Sequence, residues 1–193
     1  MAALPHQYRW TRREYERLAE LGAFAGKRVE LIGGQIVEMS PEGPPHSVAT
    51  ALVAEALRRI FPPGRFTIRS QDPLALAEYD EPEPDLAVVI GAPRDYRTAH
   101  PTGEQTLLVV EVADSSLAYD LGAKADLYAA AGIADYWVVN LPDRTVEVHR
   151  RPSPHPASDT RHRYAERQTV RPGGHVVPLA APEQRILVDD LLP

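Results

Sequence analysis

An acidic residue inside an apolar run is the first sign of chemistry in this sequence. The run Leu107-Leu108-Val109-Val110 is interrupted by Glu111 and resumes with Val112 and Ala113. An ionised carboxylate in a buried strand is costly unless a metal or a positive group compensates it. Asp114, Ser115 and Ser116 then supply helix-capping side chains, and the helix that follows carries Lys124. Upstream, Asp85 stands where an acidic, proline-stiffened loop (78–85) meets the apolar run 86–90. If those two runs are neighbouring strands, Asp85 and Glu111 reach a common point. Two close carboxylates repel, and a hard divalent cation such as Mg²⁺ relieves the repulsion. Such an ion acidifies a water and holds a phosphate oxygen. A lysine nearby orients or deprotonates that water, or stabilises charge on the phosphate. The chemistry expected is metal-assisted hydrolysis of a phosphodiester.

Each residue also has a purely structural reading. Leu117, Leu121, Lys124, Tyr128 and Ala131 recur at helical spacing. On that reading Lys124 packs its stem and sends its head to solvent or to Asp120, four residues back. Lys124 stands out because Lys27 is the only other lysine. Glu30 lies between Val29 and Leu31 and so on the opposite side of a strand from both. It is either on the open face of an edge hairpin or part of the site. His46, at the start of a helix, is a cap, a surface residue or a ligand. Gln71 is a further candidate.

The elements that must position these groups follow from pattern. Residues 11–22 read as a helix opened by a Thr11/Glu14 capping box and stopped at Gly22. Residues 28–39 read as a hairpin around Gly33-Gly34. A helix covers 46–61 and ends at Pro62-Pro63-Gly64. Short strands are expected at 65–70 and 73–77, then core strands at 86–90 and 106–113. The Lys124 helix ends at Gly132, and a second hairpin pairs 135–140 with 145–150. Residues 151–160 read as a polar, proline-rich, mobile loop. Strands are expected near 163–170 and 175–179, and a terminal strand and turn at 185–192. His149, His155 and His162 show no metal-ligand spacing and are expected at the surface.

The 193 residues suggest one domain spanning 1–193, with 151–193 as a C-terminal extension. At 44% hydrophobic and 25% charged, the chain is that of a globular protein with a real core. The absence of cysteine excludes disulfides and thiolate zinc sites. No apolar run approaches the roughly 20 residues that span a bilayer, and the first residues lack the apolar core of a signal peptide. A cytoplasmic protein without a membrane partner is expected. A net charge of −6 gives no overall attraction for nucleic acid, so DNA binding has to rest on local arginines or on metal ions.

The ordered set Val29-Glu30-Leu31-Ile32-x-Gly34, Pro84-Asp85-Leu86, Val109-Val110-Glu111-Val112, Ser115-Ser116, Asp120, Lys124, Tyr128, Gly132-Ile133 and Tyr136-Trp137 resembles the Uma-type restriction endonucleases. These lie within the restriction-endonuclease-like PD-(D/E)XK nuclease superfamily, and the likeness runs over about residues 8–150. The resemblance implies an α/β fold of mixed α+β character, with a mixed sheet flanked by helices. It implies an Mg²⁺-dependent DNA endonuclease in which Mn²⁺ can substitute. Asp85, Glu111 and the Val112 carbonyl would bind the metal, with Lys124 and Glu30 also catalytic and His46 and Gln71 as weaker candidates. The superfamily places its lysine two residues after the acid. Ala113 occupies that position here, so Lys124 would have to arrive from the helix. A two-fold homodimer suits cutting both strands of a duplex. The competing reading is a non-catalytic nucleic-acid-binding or regulatory module that keeps the nuclease fold. A paired-carboxylate glycosidase gives Lys124 no role.

Overall fold

The computed structural model describes residues 7–193. Met1–His6, part of the stretch expected to carry no leader, lie outside them. The protein is a mixed α+β fold built on a six-stranded sheet of order β3-β4-β5-β6-β7-β8. The strands are β3 (Phe66–Ser70), β4 (Leu86–Ile90), β5 (Thr106–Ala113), β6 (Asp135–Asn140), β7 (Thr145–Pro154) and β8 (His162–Val170). All neighbours are antiparallel except β5 and β6, which run parallel. That one parallel step needs a crossover. It is supplied by the helical segment carrying Lys124.

The central strands are covered on both faces. Leu86, Val88, Leu108, Val110, Val112, Trp137 and Val139 pack under α2 (Pro44–Ile60). The alternate residues Ala87, Val89, Val109, Ala113, Tyr136 and Val138 pack under Leu127 and Tyr128 of α4 (Ala125–Ala130). Burial on both faces accounts for the continuous apolar runs in the sequence. Glu111 belongs by strand parity to the α4 face.

The helix after β5 is not regular. Between α3 (Leu117–Tyr119) and α4, residues Asp120–Lys124 form a π-turn. Such a turn is one residue wider than an α-turn and occurs often at functional sites. An α-helical spacing of apolar residues runs through it, so the pattern gave no warning.

The N-terminal elements form a second layer. Helix α1 (Arg12–Glu20) has the expected capping box, with Glu14 N donating to Thr11 Oγ1 at 3.3 Å and Thr11 N to Glu14 Oε2 at 2.9 Å. The hairpin β1 (Val29–Ile32) and β2 (Gln35–Glu38) turns at Gly33 and Gly34. Both take positive φ, +59° and +79°, the combination a type I′ turn requires. A Cβ at Gly34 would sit 2.7 Å from Arg9 Cβ, whereas one at Gly33 meets nothing within 4 Å. Gly33→Ala should therefore cost only the left-handed backbone strain, about 1–2 kcal/mol. Gly34→Ala should cost a further ~1–3 kcal/mol of overpacking. Equal losses in urea unfolding would show that the Arg9 contact does not form.

Three expectations fail. Residues 73–77 are not a strand: Leu74 N donates to Pro82 O and Ala75 N to Pro101 O, partners outside any ladder. Residues 151–154 continue β7 opposite β8, through the pairs Pro152↔Tyr164, Ser153↔Arg163 and Pro154↔His162. The β6 pairing stops at Arg150, so this stretch pairs on one side only, the setting in which strands tolerate proline. His149 is 2% exposed, set edge-on between Tyr136 and Tyr164. It lies on β7 facing the core, and burial lowers its pKa to about 4. His155 and His162 are partly exposed.

Only His175–Val176 (β9) of the expected strand 175–179 is extended in a ladder, paired with β10 (Ile186–Leu187). A turn at Val188–Leu191 closes the chain against α2. Asp135 anchors this end, accepting from Leu179 N at 2.8 Å and from Arg150 and Trp137 at 2.9 Å. Among the described residues no helix is long and apolar enough to cross a membrane.

Candidate active site

Strands β4 and β5 are neighbours, paired Leu86↔Val110 and Ala87↔Val109. This pairing sets Asp85 beside the Glu111–Val112 step. Asp85 N donates to Glu111 Oε2 at 3.1 Å, and Val112 N donates to Asp85 Oδ2 at 2.8 Å. The two acids are thus locked by each other's backbone. Asp85 is 9% exposed and Glu111 3%.

Lys124 arrives from the π-turn. Its Nζ lies 3.0 Å from Glu111 Oε1 and 3.2 Å from Glu30 Oε2. The ammonium thus bridges two buried acids rather than reaching solvent or Asp120. Glu30 is 1% exposed and also accepts from Glu83 N at 3.2 Å. The hairpin β1–β2 delivers it: Leu31 exchanges backbone hydrogen bonds with Glu81, which docks the hairpin over the β4 mouth. Val29 and Leu31 face Tyr15 in a separate cluster, so Glu30 faces the site. The reading of Glu30 as an open-face residue does not hold.

His46, near the start of α2, faces Asp85 through Nε2 at 3.2 Å and Glu42 through Nδ1 at 3.2 Å. Gln71 Nε2 donates to Glu42 Oε1 and approaches Asp85 Oδ1 at 3.5 Å. The structure brings together all the sequence candidates, and adds three that reasoning from sequence missed. Tyr128 OH donates to Glu111 Oε1 at 2.7 Å. It lies on the Lys124 stripe, one turn on, and an acid facing that stripe was the available clue. Glu42 precedes His46 by four residues in a loop of turn residues, and nothing in its surroundings marked it. Asp120, noted in the sequence as a partner for Lys124 and in the family-like series but not as a site residue, is 3% exposed and accepts from Ser116 Oγ at 2.6 Å.

Glu30, Glu42, His46, Asp85, Glu111, Asp120 and Lys124 line one cleft of about 310 Å³, together with Arg28, Ser115, Ser116 and Tyr119. Its floor is strongly acidic. Burial pushes Glu111 up to about 8, and Lys124 opposes this only in part because Asp85, Asp120 and Glu30 add negative charge. Burial likewise pushes Asp120 up to about 6. Burial works against the charge of Lys124, yet Glu111, Glu30 and Asp120 outweigh it and hold the ammonium above the ordinary lysine range. Asp85 is the exception among the acids. Burial would raise it, but the hydrogen bond and charge of His46 and the Val112 amide bring it below its ordinary value.

Glu111 binds a proton in the folded state at pH values where the unfolded chain has released it. Stability should therefore fall as pH rises from about 4.5 to about 8, with a limiting slope of about 1.4 kcal/mol per pH unit. Urea unfolding in EDTA across that window measures it, and Glu111→Gln should flatten the profile. A wild-type profile already flat would refute the buried-acid assignment.

The donor set fits a hard divalent cation. Its donors are carboxylate oxygens, Asp85 Oδ1 has only one long approach, and the buried acids outnumber the single lysine. Glu42, His46 and Asp85 also place one donor atom each within 4.8 Å of one another.

The sequence matches the model of the Uma2 family, described as "Putative restriction endonuclease", over residues 12–184. No curated protein matches the sequence. Among solved structures, the chain is similar to "a putative nuclease belonging to DUF820" from Anabaena variabilis ATCC 29413. The two share 17% identity and a TM-score of 0.70, over 94% of this chain and 96% of the other. That likeness concerns the fold: a mixed sheet flanked by helices.

Proposed function

The chain belongs to the Uma2 family, and on that premise we propose that it is a metal-dependent endonuclease hydrolysing phosphodiester bonds in DNA. The observation that carries this reading is Lys124 Nζ held 3.0 Å from Glu111 Oε1, while Glu111 Oε2 meets the Asp85 amide. An acid pair with a cationic partner sits at the mouth of two paired core strands. Asp85, Glu111 and the Val112 carbonyl would hold Mg²⁺, or Mn²⁺ in its place. Such an ion neutralises phosphate charge and eases deprotonation of a water.

The protein's own groups do the rest. Lys124 stays charged, so its part is electrostatic: it donates to a phosphate oxygen as negative charge builds there. Glu30 and Glu111 fix its position. Tyr128 holds the Glu111 carboxylate in one rotamer. Arg28, on the cleft wall, supplies a cation for the nucleic-acid backbone. Its partner Glu42, 2.5 Å away, is easily exchanged for phosphate in an exposed pair. We read residues 7–193 as one domain, since the C-terminal segment packs on the same sheet. A two-fold dimer would present one cleft to each strand of a duplex.

The net charge of −6 gives no overall attraction for nucleic acid, and so favours a second reading, a non-catalytic interaction or regulatory module. The experiment that separates them incubates purified protein with supercoiled plasmid and with an RNA duplex, in Mg²⁺, in Mn²⁺ and in EDTA. Nicked and linear plasmid in either metal, and none in EDTA, is expected. Cleavage of RNA alone would overturn the DNA assignment, and no cleavage of either would favour the module.

A further inference from the structure

We propose that the Tyr119 hydroxyl is the general acid of the cleft, the group that protonates the leaving oxygen as the phosphodiester breaks. This rests on the nuclease reading above and extends it to a residue that reading leaves without a task. Tyr119 stands just before the π-turn that carries Lys124. In a regular α-helix, residues five apart point about 140° from each other around the axis. A π-turn closes its hydrogen bonds five residues on, which brings such a pair toward one face. Tyr119 and Lys124 accordingly line the same cleft. The wider turn delivers a phenol beside the ammonium, where an α-turn would point the two apart.

The other side-chain donors of the cleft are engaged or unsuited. Lys124 is held by Glu111 and Glu30, and His46 by Asp85 and Glu42. Tyr128 donates to Glu111 and Ser116 to Asp120. Arg28 is paired with Glu42, and a guanidinium does not release its proton in proteins. Ser40 and Ser115 also line the cleft, but an alkyl hydroxyl is no stronger an acid than the alcohol being released. The half-buried Tyr119 hydroxyl donates to no acceptor among the described residues, whereas those of Tyr15, Tyr96, Tyr136 and Tyr164 all do. A phenol is a much stronger acid than an alcohol, so it can give its proton to a departing alkoxide. Burial and the charge of Glu30 push Tyr119 up to about 12, with Lys124 opposing, so the hydroxyl carries its proton at neutral pH.

The step balances without a further reactant. The oxygen of the attacking water bonds to phosphorus and that water's proton passes to solvent. The bond from phosphorus to the leaving oxygen breaks, and its electron pair stays on that oxygen. The Tyr119 proton moves there, and the phenolate regains a proton from solvent. One water thus converts one phosphodiester into a phosphomonoester and an alcohol.

The test compares two leaving groups. Cut positions in a short DNA duplex are first mapped with wild type and Mn²⁺, and the product ends identify the oxygen that leaves. A second duplex carries sulfur in place of that oxygen at one position, and a thiolate leaves without needing a proton. On the oxygen duplex, Tyr119→Phe should lower the single-turnover rate by about 10²-fold or more, and on the sulfur duplex it should stay within about threefold of wild type. Affinity for the uncut duplex in Ca²⁺, read by fluorescence anisotropy, and the urea midpoint should not change. Equal slowing on both duplexes overturns the proposal, as does an unchanged rate on the oxygen duplex. A weaker affinity that accounts for the loss overturns it in favour of a simple phosphate contact. A lowered urea midpoint also overturns it, since the hydroxyl would then be bonded within the protein. Wild type that cuts neither duplex in any metal refutes the nuclease reading itself, and this proposal with it.

Discussion

Lys124→Met should lower the unfolding free energy by about 3–5 kcal/mol at pH values above the Glu111 pKa of about 8. The lysine side chain is 7% exposed, and its Nζ is the counter-charge for two acids that are themselves almost fully buried. Methionine keeps the shape of the stem and removes only the charge. Glu111 and Glu30 would then face each other's field without compensation. The loss should shrink as the pH falls, because protonating Glu111 removes one of the charges that needs a partner. Adding Glu30→Gln to the Lys124→Met chain should recover part of the loss, since it removes one of the two stranded charges. Urea unfolding of the four chains closes the cycle. Additive effects, with no pH dependence, would mean that Lys124 is an ordinary packed lysine.

Glu111→Gln should reduce metal-dependent DNA cleavage by about 10³-fold or more, the scale of removing a preorganised charge-stabilising group. Glu111 performs three tasks at once. Its Oε1 accepts from Lys124 and Tyr128, its Oε2 accepts from Asp85 N, and in its ionised form it draws a cation to the cleft. Glutamine preserves the length and loses the charge, and its NH₂ cannot accept from the Asp85 amide. Single-turnover rates at saturating metal isolate the chemical step from metal affinity. Tyr128→Phe removes one neutral donor and should have a much smaller effect. A Glu111→Gln rate within tenfold of wild type would place the reacting phosphate elsewhere.

Most of what positions the site was legible in the residues, for identifiable reasons. The Thr11/Glu14 box, the Gly33-Gly34 turn and the unbroken apolar runs of β4 and β5 are local signals. Local rules act on them directly. Glu111 was conspicuous because a charge in such a run has to be explained, and Lys124 because lysine is rare in this chain. The partner of each was not readable. Glu30 reaches Lys124 only because Leu31 docks on Glu81, 50 positions along the chain. The π-turn was hidden because its side chains keep a helical apolar spacing. Glu42 gave no sign, since it acts across space from a proline-rich loop. His149 was misplaced because the expected hairpin sets it opposite Tyr136 but does not show the cover that Tyr164 on β8 adds.

The metal-dependent reading depends on Asp85 more than on any other residue. It is the acid held ionised at neutral pH, and it stands between the Glu111 side and the His46 side of the cleft. The most direct measurement is a cleavage time course on supercoiled plasmid with wild type and Asp85→Asn at equal folded concentration, in Mg²⁺, Mn²⁺ and EDTA. Nicked and then linear DNA should form only with wild type and only with metal. Product appearing at the same rate with Asp85→Asn, or in EDTA, would contradict the assignment of this cleft as a metal-dependent phosphodiesterase centre.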